Sequence, residues 1–359
     1  DRTMDAPFEY SKYVADTGFL SREEELLQFK ELIKQNRNIA IYDSPNRGVE
    51  SLVRKAFSSI RTESLKYPYC VVDLFTVRTL NDFYLQIKSS LSQHFPNENF
   101  SSLPSSIRRV EELSKLFNLA EKASQAKGYY LSIFFLNFQS LSLYEDEYQL
   151  FKYLEKQFAE HQNLIYIMGG SQLNAMKYIF EEKKYFYFST DIIRLKEIPK
   201  KIFTDYINRT FLKVGRVIES DQLSTIYDIV DGDPFYVNLL SSICFDRTRG
   251  YLTTQMLEDS ISSLISIYSA KFLATMNDLT DYQLSMLRAV YNGVERFSTT
   301  TIIEEYHLNS SANVRRVKDA LKKKEIITFD ENERARIIDP LFKYWLSLTF
   351  FKGEKSVKY

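Results

Sequence analysis

The fold of this chain is decided by the segment from Asn38 to Ile60, which reads N-I-A-I-Y-D-S-P-N-R-G-V-E-S-L-V-R-K-A-F-S-S-I. A β-prone apolar run, Ile39 to Tyr42, enters a turn-rich segment, Asp43 to Gly48. Apolar residues then recur at helical spacing and share one face of the predicted helix: Leu52, Val53, Ala56, Phe57 and Ile60. The segment therefore predicts a strand, a glycine-bearing loop and an amphipathic helix.

This order of elements is the setting of a phosphate-binding P-loop, whose pattern is G-x-x-x-x-G-K-[S/T]. Residues Asp43 to Glu50 read D-S-P-N-R-G-V-E at those positions. Gly48 is the second glycine of the pattern, but the first glycine, the lysine and the hydroxyl residue are replaced by Asp43, Val49 and Glu50. The segment thus looks like a P-loop without most of its phosphate-binding chemistry. An ordinary strand-turn-helix is the alternative on this segment alone.

The replacements remove positive charge and add negative charge where phosphates would lie. A working loop binds them with backbone N–H groups at a helix N-terminus, a lysine, and a hydroxyl that holds magnesium. A carboxylate about 4 Å from a phosphate charge costs roughly 1 kcal/mol in water, and about 4 kcal/mol at an effective dielectric constant near 20. Because Glu50 lies in the first helical turn, where a carboxylate is favoured, we expect it to take the anion position itself.

The candidate nucleotide site is therefore a degenerate one. Its members are the loop residues, the first residues of the helix and one preceding arginine: Arg22, Asn46, Arg47, Gly48, Val49, Glu50 and Ser51. Arg22 or Arg47 could compensate for the missing lysine and support binding of ATP or ADP without magnesium.

Length and composition set the class of protein. A chain of 359 residues can hold two or three domains with a substantial core. It is 44% hydrophobic and 26% charged, as soluble globular proteins are. Lys+Arg and Asp+Glu both number 47, so any preference for nucleic acid must be local.

Cysteines, histidines and apolar runs exclude several further classes. Cys70 and Cys244 lie far apart in apolar surroundings, which predicts reduced structural thiols and excludes a disulfide framework. The three histidines lack ligand spacing, so we expect no metal site. No apolar run has membrane length and no signal peptide is evident, which predicts a cytoplasmic protein without a membrane partner.

The first half of the chain predicts an α/β domain at residues 1–199. Its first helix should be capped by Ser21 and run to about Gln35, with Leu26, Leu27 and Phe29 on its apolar face. Strands alternate with helices, one of them predicted at Ile107 to Ala126. The predicted strands are Tyr69 to Phe75, Tyr129 to Phe138, Asn163 to Met168 and Asp191 to Leu195. This alternation predicts a parallel sheet with helices on both faces.

Two further domains are predicted after this one. Residues 200–275 read as several helices interrupted at Asp231 to Pro234, and we interpret them as a helical lid. Residues 276–359 predict a winged helix-turn-helix, because three helices precede a two-stranded ribbon and a last, aromatic helix. The helices are predicted at Asp281 to Tyr291, Thr299 to Tyr306, Ser311 to Lys324 and Pro340 to Leu348, and the ribbon at Ile326 to Phe329 and Ala335 to Ile338.

An ordered series of motifs resembles the STAND-type P-loop ATPases of the archaeal and Bacteroidetes AAA-like group, from about Phe19 to Phe351. The family opens with an F-x-G-R-E-x-E-L segment, which this sequence resembles before the P-loop-like segment. After that segment it resembles the family's acidic strand end, G-S-x-x-x-x-M segment, G-x-P motif and closing D-P-L-F-x-x-W-L pattern. The matching residues are F-L-S-R-E-E-E-L at Phe19 to Leu26, F-F-L-N-F-Q at Phe134 to Gln139, Gly170 to Met176, Gly232 to Pro234, and Asp339 to Leu346. The resemblance implies a P-loop ATPase domain, a lid and a winged helix.

The departures from the family pattern concern its catalysis. In the family, an aspartate at the strand end holds magnesium through water and a glutamate orients the attacking water. Leu136 and Asn137 stand at those positions and can do neither. Since the loop lysine and hydroxyl are also missing, we expect no catalytic residue and no hydrolysis.

The helix that would be the recognition helix is locally basic. Its contact candidates are Arg315, Arg316, Lys318 and Lys322, with Val314 and other apolar residues buried behind them. They could contact DNA phosphates and base edges. In the family this domain is often a protein-contact or regulatory module, and a solvated helix face is the third interpretation.

The leading interpretation is therefore a catalytically inactive P-loop ATPase-like protein that acts as a scaffold or regulatory module and binds a protein partner without a cofactor. Two alternatives stay open. One is an ATP- or ADP-binding switch with slow hydrolysis, and the other is a winged-helix DNA-binding protein.

Overall fold

The computed structural model describes residues 22–356, which form two compact units, 22–196 and 197–356. The helices of the first unit are α1 Glu23–Lys34, α2 Val49–Glu63, α3 Leu80–His94, α4 Leu113–Lys127, α5 Glu147–Glu160 and α6 Leu173–Lys177. Its strands are β1 Asn38–Tyr42, β2 Tyr69–Asp73, β3 Leu131–Leu136, β4 Leu164–Gly170 and β5 Thr190–Ile193. Ser21, the predicted cap of α1, lies outside the described residues.

The five strands form one parallel sheet in the order β2-β3-β4-β1-β5. β1 lies between β4 and β5, with Ile39 opposite Ile167 on one side and Asp191 on the other. Every residue of β1 and β4 is buried, as expected of a sheet covered on both faces. The predicted parallel α/β sheet is confirmed.

β2 differs from the buried strand that its apolar sequence predicts. It lies at the edge of the sheet, and only Val72 among its residues is buried. Phe75, which the prediction included in the strand, is 65% exposed beyond its end. Local apolar character therefore identified the strand but not its place at the edge, which depends on the order of pairing.

Two helices also depart from their predicted form. α4 begins at Leu113 rather than at Ile107, and a short 3-10 helix, Val110–Glu112, precedes it. The Glu112 side chain accepts hydrogen bonds from the backbone N–H groups of Arg108 and Arg109 (2.7 and 2.8 Å), which caps the start of this turn. On α1, Leu27 is exposed, and the buried face is formed by Phe29, Ile33 and Glu25.

The second unit contains four helices followed by a winged helix. The helices are α7 Lys200–Leu212, α8 Ser220–Ile229, α9 Pro234–Arg247 and α10 Thr254–Asn277. The winged helix comprises α11 Asp281–Tyr291, α12 Thr300–Glu305, α13 Ser311–Lys323, β6 Ile327–Phe329, β7 Ala335–Ile337 and α14 Pro340–Leu348. One hydrophobic core runs through both parts of this unit. The separate lid domain at 200–275 and winged-helix domain at 276–359 therefore remain a prediction.

A hydrogen bond joins the helix that begins at the G-x-P motif to the D-P-L-F motif. The Tyr236 hydroxyl, on α9, donates to Asp339 Oδ2 at 2.9 Å, and Asp339 also caps α14 by accepting from the N–H groups of Leu341 and Phe342. Burial raises the pKa of Asp339, which the hydrogen bond from Tyr236 opposes. The aspartate of the D-P-L-F motif thus holds the last helix against α9.

Two further findings concern the described residues. Cys70 and Cys244 are free thiols. Among residues 22–356, no helix combines the length and the apolar character needed to cross a lipid bilayer.

Gly232 should be the glycine least tolerant of substitution in the second unit. It has φ +70°, and a Cβ there would lie 2.4 Å from the Tyr227 ring, whose hydroxyl is held on the Ile198 carbonyl at 2.7 Å. We expect Gly232→Ala to lower the free energy of unfolding by about 2–4 kcal/mol, since strain and overpacking add. Urea unfolding followed by fluorescence of Trp345, the single tryptophan, measures this.

Gly215 is the matched control for this substitution. It has φ +72°, but a Cβ there would meet nothing within 4 Å. Gly215→Ala should therefore lose only the backbone term, about 1–2 kcal/mol. Equal losses for the two variants would show that the contact with Tyr227 does not matter.

Candidate nucleotide site and winged-helix surface

The P-loop-like segment has the backbone of a strand-loop-helix turn that requires glycine. β1 ends at Tyr42, and α2 starts at Val49 with Gly48 as its N-cap in the left-handed conformation (φ 97°). Asn46 also has a positive φ of 63°. Gly48 is thus present because a residue with a side chain would be strained at that angle.

Asp43 and Arg47 interact inside the loop. Asp43 Oδ1 accepts hydrogen bonds from the N–H and the hydroxyl of Ser44 (2.7 and 3.2 Å), and Asp43 Oδ2 lies 3.9 Å from Arg47 Nε. Both charged side chains are largely buried. The carboxylate that replaces the first glycine of the P-loop pattern is therefore neutralised within the loop.

Glu50 has an arginine partner on its own helix. Its Oε1 accepts from Arg54 Nε at 3.2 Å and from Arg54 Nη2 at 3.1 Å, one turn further along α2. The next residue, Ser51, is buried. The interpretation that Glu50 fills the anion position stays a prediction, and the structure adds that its charge is paired with Arg54.

Arg22 is hydrogen-bonded to the backbone of the loop. Its side chain is buried, with 4% of the residue exposed. Nη2 donates to the Arg47 carbonyl at 3.3 Å, Nη1 donates to the Lys196 carbonyl, and Nη1 lies 3.6 Å from Glu25 Oε2. Burial raises the pKa of Glu25 and lowers that of Arg22. Of the predicted site residues, the structure thus brings Arg22 and Arg47 together through the backbone.

The end of β3 carries an amide where the resembling family has acids. Asn137 follows β3 with φ 57°, and its Nδ2 donates to Asp73 Oδ1 at 2.9 Å. Gln139 donates to Asn137 Oδ1 at 3.4 Å, and its own Oε1 is buried without a hydrogen-bond partner. A Cβ on Gly170 would lie 2.5 Å from that oxygen, so only glycine fits beside it.

Asp73 is a candidate site residue that the sequence analysis missed. It is exposed at the end of β2 and is the carboxylate nearest to Asn137 among the contacts described. The available signal was its position, because an acid directly after an apolar strand often faces a ligand in parallel α/β sheets. Within residues 22–356, no three His, Cys, Asp or Glu side chains gather as metal ligands.

On α13, the four predicted contact residues divide into two pairs. Arg315 and Arg316 are exposed, and Arg316 Nη2 donates to Asn313 Oδ1 at 2.6 Å. The ammonium groups of Lys318 and Lys322 lie 4.3 and 5.8 Å from the centre of the Phe329 ring. The lysines therefore cover the ribbon through cation–π contacts, and the arginines point to solvent.

The turn of the ribbon is acidic. Between β6 and β7 the chain reads D-E-N-E-R, Asp330 to Arg334, and Asp330 Oδ1 accepts from the N–H groups of Asn332 and Arg334 at 2.9 Å. Arg334 itself lies 3.7 Å from Glu295. This turn carries more carboxylates than arginines, so it does not extend the basic surface of α13.

Comparison with known proteins agrees with this description. A family model described as "probable winged helix domain" matches residues 270–348. No curated protein sequence matches the chain. The described structure has a P-loop NTPase-like fold, with a five-stranded parallel sheet and a C-terminal winged helix.

Three solved structures share this fold over nearly the whole chain. The Walker-type ATPase PABY2304 of Pyrococcus abyssi has a TM-score of 0.68 and 17% identity, covering 94% of this chain and 98% of its own. The Orc2 protein of Aeropyrum pernix, in ADPNP and ADP complexes, has a TM-score of 0.63 and 14% identity, covering 94% of both chains. The Orc1 protein of Aeropyrum pernix in complex with DNA has a TM-score of 0.50 and 13% identity, covering 93% and 94%.

Removal of the Arg22 guanidinium should loosen the loop and α1. Arg22→Ala leaves the Glu25 carboxylate buried without its cation, so we expect a loss of about 3–5 kcal/mol in the free energy of local opening. Amide hydrogen exchange of α1 and of residues 43–48 measures this loss segment by segment.

Two further variants test the cause. Arg37→Ala removes an exposed ion pair with Asp191 and should cost less than about 1 kcal/mol. Adding Glu25→Gln to Arg22→Ala should recover part of the loss, because the buried charge is then gone. Unchanged exchange in Arg22→Ala would rule out the bracing role.

Proposed function

We propose that this protein is a P-loop ATPase-like module that does not hydrolyse ATP and that acts by binding a partner through its winged helix. The observation that carries the proposal is the pairing of charges inside the loop. Asp43 faces Arg47, Glu50 is held by Arg54, and Arg22 is engaged by backbone carbonyls. The loop is therefore stabilised by the protein's own groups, where a working loop relies on phosphate.

The site lacks the groups that ATP hydrolysis requires. Val49 offers no charge to the outer phosphates, and Glu50 offers a carboxylate where magnesium's hydroxyl ligand would be. At the end of β3, the Asn137 amide donates to Asp73 and cannot act as a base. Asp73 could hold a cation, but it lies at the end of β2. The end of β3 has Leu136 and Asn137 and offers no second carboxylate beside it.

Nucleotide binding would require these pairs to be broken. A phosphate at the N-terminus of α2 would meet Asp43 and Glu50, so Arg47 and Arg54 would have to exchange a carboxylate for the phosphate. Such exchanges contribute little binding free energy, because an arginine–phosphate pair replaces an arginine–carboxylate pair. Among the neighbours, Orc2 of Aeropyrum pernix binds ADPNP and ADP, which makes the nucleotide switch the alternative to be tested directly.

The test is a calorimetric titration of nucleotide-free protein with ATP and ADP, with and without magnesium. We expect no binding heat up to about millimolar nucleotide. The binding free energy would then be weaker than about −4 kcal/mol. The double variant Val49→Lys with Glu50→Thr should bind magnesium-ATP, since it restores the lysine and the hydroxyl of the pattern.

Val49→Leu with Glu50→Gln is the matched control, because it removes the same charge without supplying phosphate ligands. It should not bind. Micromolar, magnesium-dependent binding to the unaltered chain would overturn the proposal and establish the ATP switch. Micromolar binding without magnesium would instead point to Arg22 and Arg47 as compensating groups.

The partner surface that we propose is the exposed face of α13. The Arg315 side chain is exposed, and Lys323 is exposed on the same face. Asp319 lies between them, so the face is basic but not uniformly so. A protein partner that presents carboxylates fits this mixed face better than a phosphate backbone, because Asp319 and the acidic turn of the ribbon would both face the DNA.

DNA binding is the second candidate function. It is supported by the exposed arginines of α13 and by the DNA complex of the structurally similar Orc1 protein. This function predicts binding of a short duplex at about 50 mM salt, with the slope of log K against log salt falling by about 2 in Arg315→Ala/Arg316→Ala.

Arg108→Ala/Arg109→Ala, in the first unit, is the control variant and should leave the slope unchanged. If the unaltered chain binds no duplex at low salt, the DNA function is excluded and the protein partner remains. An equal loss in both double variants would indicate only nonspecific attraction.

A further inference from the structure

An apolar patch is exposed in the second unit where α7 ends. Four large side chains there each expose between 49% and 65% of their surface, and we call them the α7 patch: Leu212, Val214, Val217 and Tyr251. Single exposed apolar residues are common in proteins, whereas a cluster of them usually marks a surface that another molecule covers. The α7 patch shares no residue with α13 or with the loop at residues 43–50.

Backbone hydrogen bonds bring the members of the α7 patch together. The Gly215 N–H donates to the Leu212 carbonyl at 3.0 Å, and Gly215 has a φ of 72°, so the chain turns back directly after α7. The Val217 N–H then donates to the Gly250 carbonyl at 2.8 Å, which places Val217 opposite Tyr251 in the segment that follows α9. Two segments that are distant in sequence therefore form one surface.

The base of the patch is packed and held in place. The buried Phe211 meets Phe245 edge to face, with ring centres 5.3 Å apart. The Arg216 guanidinium lies over the Phe245 ring at 3.9 Å and its Nη1 donates to the Phe245 carbonyl at 2.6 Å. A surface fixed in this way has little conformational freedom to lose when a partner binds.

The same two segments carry a local excess of positive charge. Residues 209–218 and 247–252 contain no acidic residue and five basic ones: Arg209, Lys213, Arg216, Arg247 and Arg249. Of these, Arg209, Lys213 and Arg249 are exposed. Arg209 and Lys213 share a face of α7 with Leu212, because they are three and four residues apart along the helix. Exposed cations therefore border the apolar side chains, although the chain as a whole is neutral.

This combination favours one class of partner. An apolar centre with tyrosine and arginine beside a charged rim is the usual composition of a protein–protein contact. A nucleic acid would pair with the cations, but the aliphatic side chains of Leu212, Val214 and Val217 offer its phosphates nothing. A lipid surface favours side chains that insert deeply, whereas these are about half covered by their own surroundings.

We propose that the α7 patch binds an acidic polypeptide segment in which carboxylates alternate with apolar side chains. The apolar side chains cover Leu212, Val217 and Tyr251, and the carboxylates pair with Lys213 and Arg249. The match of charge is what selects an acidic partner, since like charges across a contact oppose binding. The inference does not rest on the proposed function, because the two surfaces have no residue in common.

The test uses a fluorescein-labelled peptide of three repeats of Glu-Leu-Asp-Val, titrated with the full chain and followed by fluorescence anisotropy. We expect saturable binding with one site at about 50 mM salt, where screening of the charges is weak. Three repeats of Glu-Ser-Asp-Ser keep the charge without large apolar side chains and should bind at least about tenfold more weakly. Three repeats of Lys-Leu-Arg-Val should not bind, because their charge is reversed.

Two double variants separate the charged contribution from the apolar one. Lys213→Glu/Arg249→Glu should weaken binding of the acidic peptide by at least about tenfold, because like charges then oppose each other. Leu212→Ser/Val217→Ser should weaken it by about tenfold, because the apolar area that the peptide covers is lost. All four positions are exposed, so the fold does not depend on them.

Matched controls lie in the first unit. Lys122→Glu/Lys127→Glu makes the same change of charge at exposed positions of α4 and should leave the affinity unchanged. Leu27→Ser/Leu65→Ser removes two exposed apolar side chains and should also leave it unchanged. Trp345 fluorescence during heating checks that each variant is folded.

Three outcomes would overturn the proposal. The first is absence of saturable peptide binding to the unaltered chain, or the same affinity in the patch variants and the controls. The second is loss of binding in Arg315→Glu/Lys323→Glu with the patch variants unaffected, which would place the peptide on α13 and leave the proposed function standing. The third is binding of phosphatidylserine vesicles, lost in both patch variants, without any peptide binding, which would assign the patch to a lipid surface.

Discussion

The parallel register of the sheet is the constraint on which the rest of the first unit depends. β1 is buried between β4 and β5, so its direction and register are fixed by pairs such as Ile39 with Ile167. Because all five strands are parallel, their carboxyl ends lie along the same edge of the sheet. That edge therefore carries the loop after β1, Asp73, Asn137 and Gly170, whose positions in the sequence are far apart.

The chemistry at this edge differs from that of a working P-loop in a consistent way. The polar side chains that replace residues of the P-loop pattern are paired with other groups of the protein. Asp43 with Arg47, Glu50 with Arg54 and Asn137 with Asp73 are three such pairs. Arg22 then ties the loop backbone to the rest of the first unit. The fold is kept by backbone geometry and buried apolar residues, and neither requires a nucleotide.

In the second unit, a different interaction sets the geometry. The Tyr236 hydroxyl and Asp339 connect α9 to the start of α14, and apolar contacts such as Phe272 with Trp345 continue the same core. The winged helix shares its core with the preceding helices, so α13 belongs to the same compact unit as they do. The basic side chains on α13 differ in their contacts. Two lysines lie over the ring of Phe329 on the ribbon, whereas the arginines are exposed.

The sequence by itself determined the order and kind of the elements, because apolar periodicity, caps and glycine positions are local properties of the chain. It predicted the parallel sheet, the loop with Gly48 and the winged helix, and it located the missing lysine and acids. Only the tertiary structure decided which groups pair with the replaced residues, that β2 lies at the edge of the sheet, and that Asp73 contacts Asn137. Pairing across strands and burial of charges depend on residues that are distant in sequence, and no local pattern records them.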